Sequence, residues 1–212
     1  MEIDRPGPGE ELNPGAVTVP RVAASVIVLR DSREGPEVLL VQRNPAARFM
    51  GGAWVFPGGA VHDDDADPAQ TAVRELEEEA GIVIDDPAEL APWSRWITPA
   101  QVKIRFDTWF YVAAAPDGAE PKCDGQECVD VRWLRPGDAL DAFSRDELLL
   151  VFPTIRHLQE LTALESVEHA LSVARSRRIQ PVEPRVVLDR GGVARVLMPG
   201  EPGYDDAAAE SA

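Results

Sequence analysis

Three of the four glutamates between residues 75 and 79, Glu75, Glu78 and Glu79, are the first feature of this chain that could do chemistry. On an α-helix of about 3.6 residues per turn, with Glu75 set at zero, Glu78 falls at about −60° and Glu79 at about +40°. Three carboxylates then share one narrow face. Like charges three and four residues apart repel on a helix, a local cost that a bound divalent cation would remove. Arg74, four residues before Glu78, can neutralise or orient part of the cluster. Ala69, Ala72, Val73, Leu76 and Ala80 form an apolar stripe between about +60° and +160° that can dock on a sheet, so the acidic face lies at the edge of the buried one. Glutamate also favours helices, and the cluster alone reads equally well as a solvated acidic face. The upstream pair Gly58-Gly59, at a strand-to-helix junction where exposed backbone can approach a metal or phosphate, shifts the reading toward a metal site.

The acidic run Asp63-Asp64-Asp65-Ala66-Asp67 invites comparison with a calcium loop, but Pro68 stands where such a loop needs Gly and Arg74 where it needs a bidentate Glu. A solvated loop is expected there. Cys123 and Cys128 are too few for a disulfide framework and lack the partners of a structural zinc site, so buried or incidental thiols are expected.

The elements that must position these residues follow from pattern. Residues 1–20 are rich in Pro, Gly and Glu and read as a flexible arm. Ala23 to Arg30 and Glu37 to Gln42 read as two strands around a polar turn, and Ala53 to Phe56 as a short strand entering a Pro57-Gly58-Gly59 turn that only small residues could make. A helix is expected from about Pro68 to Ala80, with Asp67 as N-cap, Pro68 at the first helical position and Gly81 after its end. Strand-like segments follow near Ile82 to Ile84, Trp93 to Ile97, Thr108 to Ala114 and Val129 to Leu134. Helical spacing returns at Thr154 to Leu164 and Ser166 to Arg175. Arg185 to Leu188 and Val193 to Met198, joined through Asp189-Arg190-Gly191-Gly192, read as a terminal hairpin. The expected organisation is one α/β domain over residues 21–200 that includes a C-terminal helical and hairpin extension, with a disordered tail over residues 201–212.

At 212 residues, 44% hydrophobic and 27% charged, the composition is that of an ordinary globular protein, and no apolar run approaches the ~18 residues a membrane helix needs. The first residues lack the basic and apolar regions of a secretory signal, which places the chain in the cytoplasm. A formal net charge of −16 argues against binding of macromolecular nucleic acid, but not against a small phosphorylated ligand held by a few local cations and a metal. A homodimer is the assembly favoured by general prevalence.

Arg74-Glu75-Leu76, followed by Glu78-Glu79 and Gly81-Ile82, resembles the second half of the Nudix box at every specified position. In the first half, taking Gly59 as the box Gly brings Asp65 to the acidic position with eight residues before Arg74, one more than the family pattern. The resemblance implies a Nudix-type α/β/α sandwich with a mixed sheet. It also implies Mg²⁺-dependent hydrolysis of a diphosphate linkage in a small nucleoside diphosphate derivative, Mn²⁺ being a substitute metal. Glu75 and Glu79 would be direct ligands, Glu78 a further ligand or a water-positioning group, and the Gly59 carbonyl would complete the shell. Arg74 would support the catalytic cluster and the Gly58 backbone would meet substrate. Glu127, six residues before Trp133, resembles the additional loop Glu of many members and is a candidate base alongside Glu78; its other reading is an exposed turn residue.

Leu39 through Arg48, continuing to Phe56-Pro57-Gly58-Gly59, resembles the segment upstream of the box in Nudix coenzyme A pyrophosphohydrolases. Val41 and Asn44 depart from that pattern. Arg43 and Arg48 are suited to extra phosphate groups through charge-assisted hydrogen bonds. The segments Trp96 to Pro99, Arg105 to Phe110 and Phe152 to Thr154 resemble the same branch, with Arg105 facing ligand and Phe106, Trp109 and Phe110 serving the core. Coenzyme A or an acyl derivative is therefore the implied substrate. NADH, ADP-ribose or another nucleotide is the second reading, and a non-catalytic Nudix-fold ligand sensor the third.

Overall fold

A computed structural model describes residues 11, 13, 16–189 and 192–207. The core is assembled on strand β1, Arg21–Ser32, in which Val26, Ile27, Val28 and Leu29 are all buried. A strand buried on both faces needs a layer on each side, and this one has them. β1 pairs in parallel with β6, Phe106–Ala114, and antiparallel with β2, Gly35–Arg43. The sheet extends through β3 (Trp54–Val55) on one side and through β5 (Ala91–Ile97) and the two-residue strand β8 (Pro181–Val182) on the other. β4, Gly58–Ala60, pairs with the start of β1, and β7, Cys128–Leu134, with β2. The sheet is mixed, as expected, with parallel pairings at β1–β6 and β5–β8.

Helix α1, Pro68–Ala80, covers one face. Asp67 accepts a hydrogen bond from the Gln70 N–H at 3.0 Å, and Gly81 adopts φ +64° with its N–H bonded to the Glu77 carbonyl, so both expected ends form as their residue types dictate. Ala72, Leu76 and Ala80 are fully buried against Ala24, Val26, Val28, Leu39 and Val41. The other face carries α2 (Pro136–Ser144), α3 (Phe152–Leu161) and α4 (Val167–Ser176), whose Ile155, Leu158, Leu161, Ala170 and Ala174 pack on Ile27, Leu29, Trp93 and Val112. Full burial of each such leucine contributes about 1.5–3 kcal/mol. Helix, sheet and helices make the α/β/α sandwich.

Several expected elements are corrected. Ile82 to Ile84 is not a strand; Ile82 and Ile84 are buried beneath α1 in an irregular connection that makes no ladder. Gly58-Gly59 is strand rather than turn, since the chain continues past Pro57 to pair with β1. Helix α2 had no counterpart in the pattern read from sequence, because its nine residues present only Pro136 and Ala139 as buried positions. The terminal hairpin forms as β9 (Arg185–Asp189) and β10 (Gly192–Leu197); Arg190 and Gly191 of its expected turn lie outside the described residues. Residues 201–207, expected as disordered tail, form turns, and the Tyr204 hydroxyl donates to the Glu183 carbonyl at 2.7 Å. The described residues of the arm are likewise attached: Asn13 N–H donates to the Gln101 carbonyl at 2.6 Å and the Thr18 hydroxyl to the Lys103 carbonyl at 2.9 Å.

Candidate active site

β4 runs between β1 and α1, with β1 backbone against Gly58 and a helix carboxylate against Gly59. A Cβ at Gly58 would lie 2.4 Å from the Ala24 carbonyl oxygen, and one at Gly59 only 2.3 Å from Glu75 Oε1. Close approach, not a positive φ, is what demands glycine here. The result is a backbone pressed onto two carboxylates one helical turn apart. Gly59 sits against Glu75, while the Gly58 N–H donates to Glu79 Oε2 at 2.9 Å.

Glu75 and Glu79 are buried, at 6% and 2% exposure, whereas the Glu78 side chain is 57% exposed. Burial raises the pKa of Glu75 above the usual carboxylate range, with Arg74 opposing the shift. Burial pushes Glu79 up to about 7, opposed by the Gly58 N–H and by the positive field of Arg43. Arg74 is the cationic hub. It donates to Glu75 Oε1 at 2.8 Å, to Glu78 Oε2 at 3.0 Å and, through Nε and Nη2, to both oxygens of Asp65 at 3.2 and 3.0 Å. Asp65 also accepts from the His62 N–H and the Thr71 hydroxyl, each at 2.9 Å, and its pKa is held well below the ordinary range, chiefly by Arg74. The displaced acid thus anchors Arg74.

Arg43 reaches the same place from the sheet. It pairs with Cys128 across β2 and β7, and its position in the alternation puts it on the face of Leu39 and Val41, toward α1. Two buried polar atoms here have no hydrogen-bond partner, Arg43 Nε and Glu79 Oε1. Such atoms are costly unless a ligand or ion completes them. Among the described residues no three His, Cys, Asp or Glu side chains converge as a ready-made cage, because Glu78 turns outward to Arg74. The donor set nevertheless suits a hard cation: two buried carboxylates, one with an oxygen unpartnered, face glycine backbone with no side chain between.

The NUDIX domain model matches residues 19–152, which is more than half of the chain. The chain belongs to the Nudix family. It is 40% identical over 140 residues to the CMP-5′-(N-acetyl-N-hydroxy-3-aminopropyl)phosphonate hydrolase of Streptomyces rubellomurinus, an alignment covering 66% of this chain and 63% of that one. It is 29% identical over 185 residues to a Mycobacterium tuberculosis protein provisionally named 8-oxo-dGTP diphosphatase 3, covering 85% of this chain and 79% of that one. Among solved structures it resembles a NUDIX hydrolase from Alicyclobacillus acidocaldarius with a TM-score of 0.65 at 29% identity, covering 74% of this chain and 97% of that one. The chain spans only 61% and 63% of the length of two of the curated relatives it matches.

With the Nudix helix placed, the outlying candidates can be sorted. Glu127 is exposed on the loop before β7, near enough that its negative charge adds to the upward shift of Glu75. Arg48 is exposed, and the partner its field acts on is Glu11 of the arm. Arg105, expected to face ligand, is 7% exposed and occupied: it donates to the Thr98 carbonyl at 2.9 Å, the Thr18 carbonyl at 2.8 Å and Glu183 Oε1 at 2.6 Å. That expectation is corrected, since the guanidinium ties the chain's own segments together. Phe110 is core, while Phe106 and Trp109 are half-buried. Thr71 and Cys128 went unnoticed in the sequence as site residues. No spacing announces Thr71, and only the β2–β7 register reveals that Cys128 faces Glu79, whose charge adds to burial in raising the thiol pKa.

Proposed function

We propose that this Nudix chain is a divalent-metal-dependent pyrophosphohydrolase that cleaves a diphosphate bond in a small nucleoside diphosphate derivative. The observation that carries the reading is the pair of buried glutamates one turn apart, pressed by Gly58-Gly59, with an oxygen of Glu79 unpartnered. Glu75, Glu79 and the Gly59 carbonyl would hold the ion, and Glu78 would join them on leaving Arg74. Their hard oxygen donors suit Mg²⁺, with Mn²⁺ as substitute. When bound, the metal neutralises phosphoryl oxygens and lowers the pKa of water.

The chain's own residues supply the rest. Arg74, held by Asp65, keeps a positive charge beside the carboxylates. Arg43, with its Nε unpartnered, is suited to a phosphate oxygen. Glu127 is the proposed general base. It is exposed, and its side chain has neither the burial of Glu79 nor the ion pair of Glu78. Its carboxylate takes a proton as the water oxygen forms a bond to phosphorus; the bridging P–O bond breaks and its electron pair leaves on the departing phosphate.

For the substrate itself, the coenzyme A reading rests on the resemblance of the segment from Leu39 to Gly59 and of Trp96 to Pro99, Arg105 to Phe110 and Phe152 to Thr154. Of the three arginines assigned to it, Arg43 alone shows an electrostatic link to the glutamates. The names of the Streptomyces and mycobacterial relatives favour nucleotides more broadly. The deciding experiment is a Mg²⁺-dependent screen of coenzyme A, acetyl-coenzyme A, NADH, ADP-ribose and nucleoside triphosphates, with Glu79→Gln as control. Cleavage of NADH or a triphosphate in preference to coenzyme A removes the coenzyme A reading alone. Absence of turnover with both Mg²⁺ and Mn²⁺ removes the hydrolase and leaves a ligand sensor.

A further inference from the structure

Asn44 entered the sequence reading only as a departure from a family pattern, and the proposed chemistry does not use it. Asn44 follows the last residue of β2, at the point where the β2–β7 register shifts between Gln42 and Arg43. Its N–H donates to the Glu127 carbonyl at 2.7 Å, and its Nδ2 donates to the Gln126 carbonyl, also at 2.7 Å. The remaining side-chain oxygen accepts from the Ala46 N–H at 2.9 Å, which fixes the Asn44 rotamer. From the opposite side Asp124 accepts the Glu127 N–H at 3.0 Å and the Cys128 N–H at 2.9 Å.

Both backbone polar groups of Glu127, and the carbonyl before it, are therefore held although the residue is exposed on a turn whose Gly125 has φ +77°. The Asp124 bonds, with the Gly125 N–H donating to the Cys128 carbonyl at 2.9 Å, close that turn locally. What the Asn44 bonds add is attachment to the strand end that carries Arg43, across more than eighty residues of sequence. Loops with unsecured backbone open on their own at little free-energy cost, and a carboxylate carried on one would be displaced from its working position.

The geometry points to Asn44 as a positioning residue that clamps the Gln126-Glu127 backbone to the end of β2, so that the Glu127 carboxylate is held at a set place relative to Arg43 and the helix glutamates. The clamp rests on the reading of Glu127 as the general base. Asn44→Asp is the discriminating variant: it keeps the oxygen that accepts from Ala46 but removes the Nδ2 donor and sets an anion against the Gln126 carbonyl.

Two measurements test it together. In the first, amide hydrogen exchange is followed at residues 124–128 of the metal-free full chain, where Asn44→Asp is expected to speed exchange of the Glu127 amide by about tenfold while β1 and β6 keep their protection. In the second, kcat and KM are measured with Mg²⁺ and the best substrate of the screen. Asn44→Asp is expected to lower kcat by about tenfold with KM within about twofold, and to change kcat by less than about twofold in a Glu127→Gln background, because the group it positions is already gone. Asn44→Ala should behave the same way. Unchanged exchange overturns the clamp, and so does an equal loss of kcat in both backgrounds. If the unaltered chain turns over no diphosphate, the hydrolase reading falls, and the exchange measurement still decides the clamp.

Discussion

A single methyl group separates two accounts of Gly59. If the glycine serves only chain geometry, Gly59→Ala changes stability; if it serves the approach of backbone to Glu75, the variant changes the carboxylate. The added carbon would meet Glu75 Oε1 at 2.3 Å, the movable end of a side chain, so the carboxylate yields before the backbone does. The expected outcome is a folded protein, its Tm lowered by a few degrees, with kcat/KM for the screened substrate down about 100-fold. Near-normal activity would show that Glu75 has room to spare. Asp65→Asn makes the complementary test. Its folded pKa is depressed below the unfolded value of about 3.9, so its contribution is present above that pH and is lost as pH falls through the lower, folded value. The variant should therefore melt below the unaltered chain at pH 7, the gap narrowing below about pH 4; a constant gap would mean that Asp65 acts without its charge. The cluster Glu75, Glu78 and Glu79 was legible in the sequence because helical spacing alone puts three carboxylates together. Their division into two buried and one exposed was not, since it depends on where β4 lies and on Arg74 having Asp65 as a third carboxylate partner.

Between elements, α3 is attached to the sheet by a polar pin within an apolar layer. His157 is fully buried against Phe110, with ring centroids 4.3 Å apart, and its Nδ1 and Nε2 each lie 2.6 Å from a partner, the Pro153 carbonyl and the Ser94 hydroxyl. A carbonyl can only accept, so Nδ1 carries the proton and Nε2 accepts from Ser94. Both nitrogens are satisfied in the neutral ring, and burial drives its pKa down to about 3. A histidine depressed from an unfolded value of about 6.5 contributes stability that is complete above that pH and is lost as pH falls toward 3, at up to about 1.4 kcal/mol per pH unit. In the unaltered chain that loss is offset between about pH 7 and pH 4.5 by Glu79, whose raised folded pKa makes protonation favour the fold, so the His157 contribution is read as the difference in acid slope between the unaltered chain and a variant. His157→Phe should be less stable at pH 7.5 by about 1–3 kcal/mol, for the stranded hydroxyl and carbonyl, and should show a shallower acid slope. Parallel slopes would sink this assignment. At this scale the sequence was readable wherever an element had local punctuation, as α1 does in Asp67, Pro68 and Gly81. It was unreadable where tertiary placement decides: Ile82 and Ile84 alternate like a strand yet find no partner strand, and α2 buries too few residues to show a period.

At the scale of the molecule, the question is what holds the segments outside the sandwich. The family match ends at residue 152, the first residue of α3; beyond it α3 and α4 complete the sandwich, while the β9–β10 hairpin stands outside as a separate two-stranded sheet. Composition marked the two ends of the chain as unstructured, correctly noting that they lack apolar periodicity. It could not reveal that their described parts are attached by hydrogen bonds to backbone far away in sequence, such as Tyr204 to the Glu183 carbonyl. Arg105 is the joint between these attachments. From the residue before β6 it reaches back to Thr18 in the arm, across to Thr98 after β5, and forward to Glu183 after β8, so three regions of sequence converge on one buried guanidinium. Its side chain is 6% exposed while that of Glu183 is 43% exposed, so the two carbonyl bonds, more than the screened ion pair, make it stabilising. Arg105→Met keeps the stem and removes every donor. It should cost about 1–3 kcal/mol of unfolding free energy and open the 16–20 segment to hydrogen exchange and proteolysis, leaving KM for any diphosphate substrate within about twofold of the unaltered value. The opposite pattern, a large rise in KM with stability unchanged, would return Arg105 to the ligand-facing role that the sequence alone suggested.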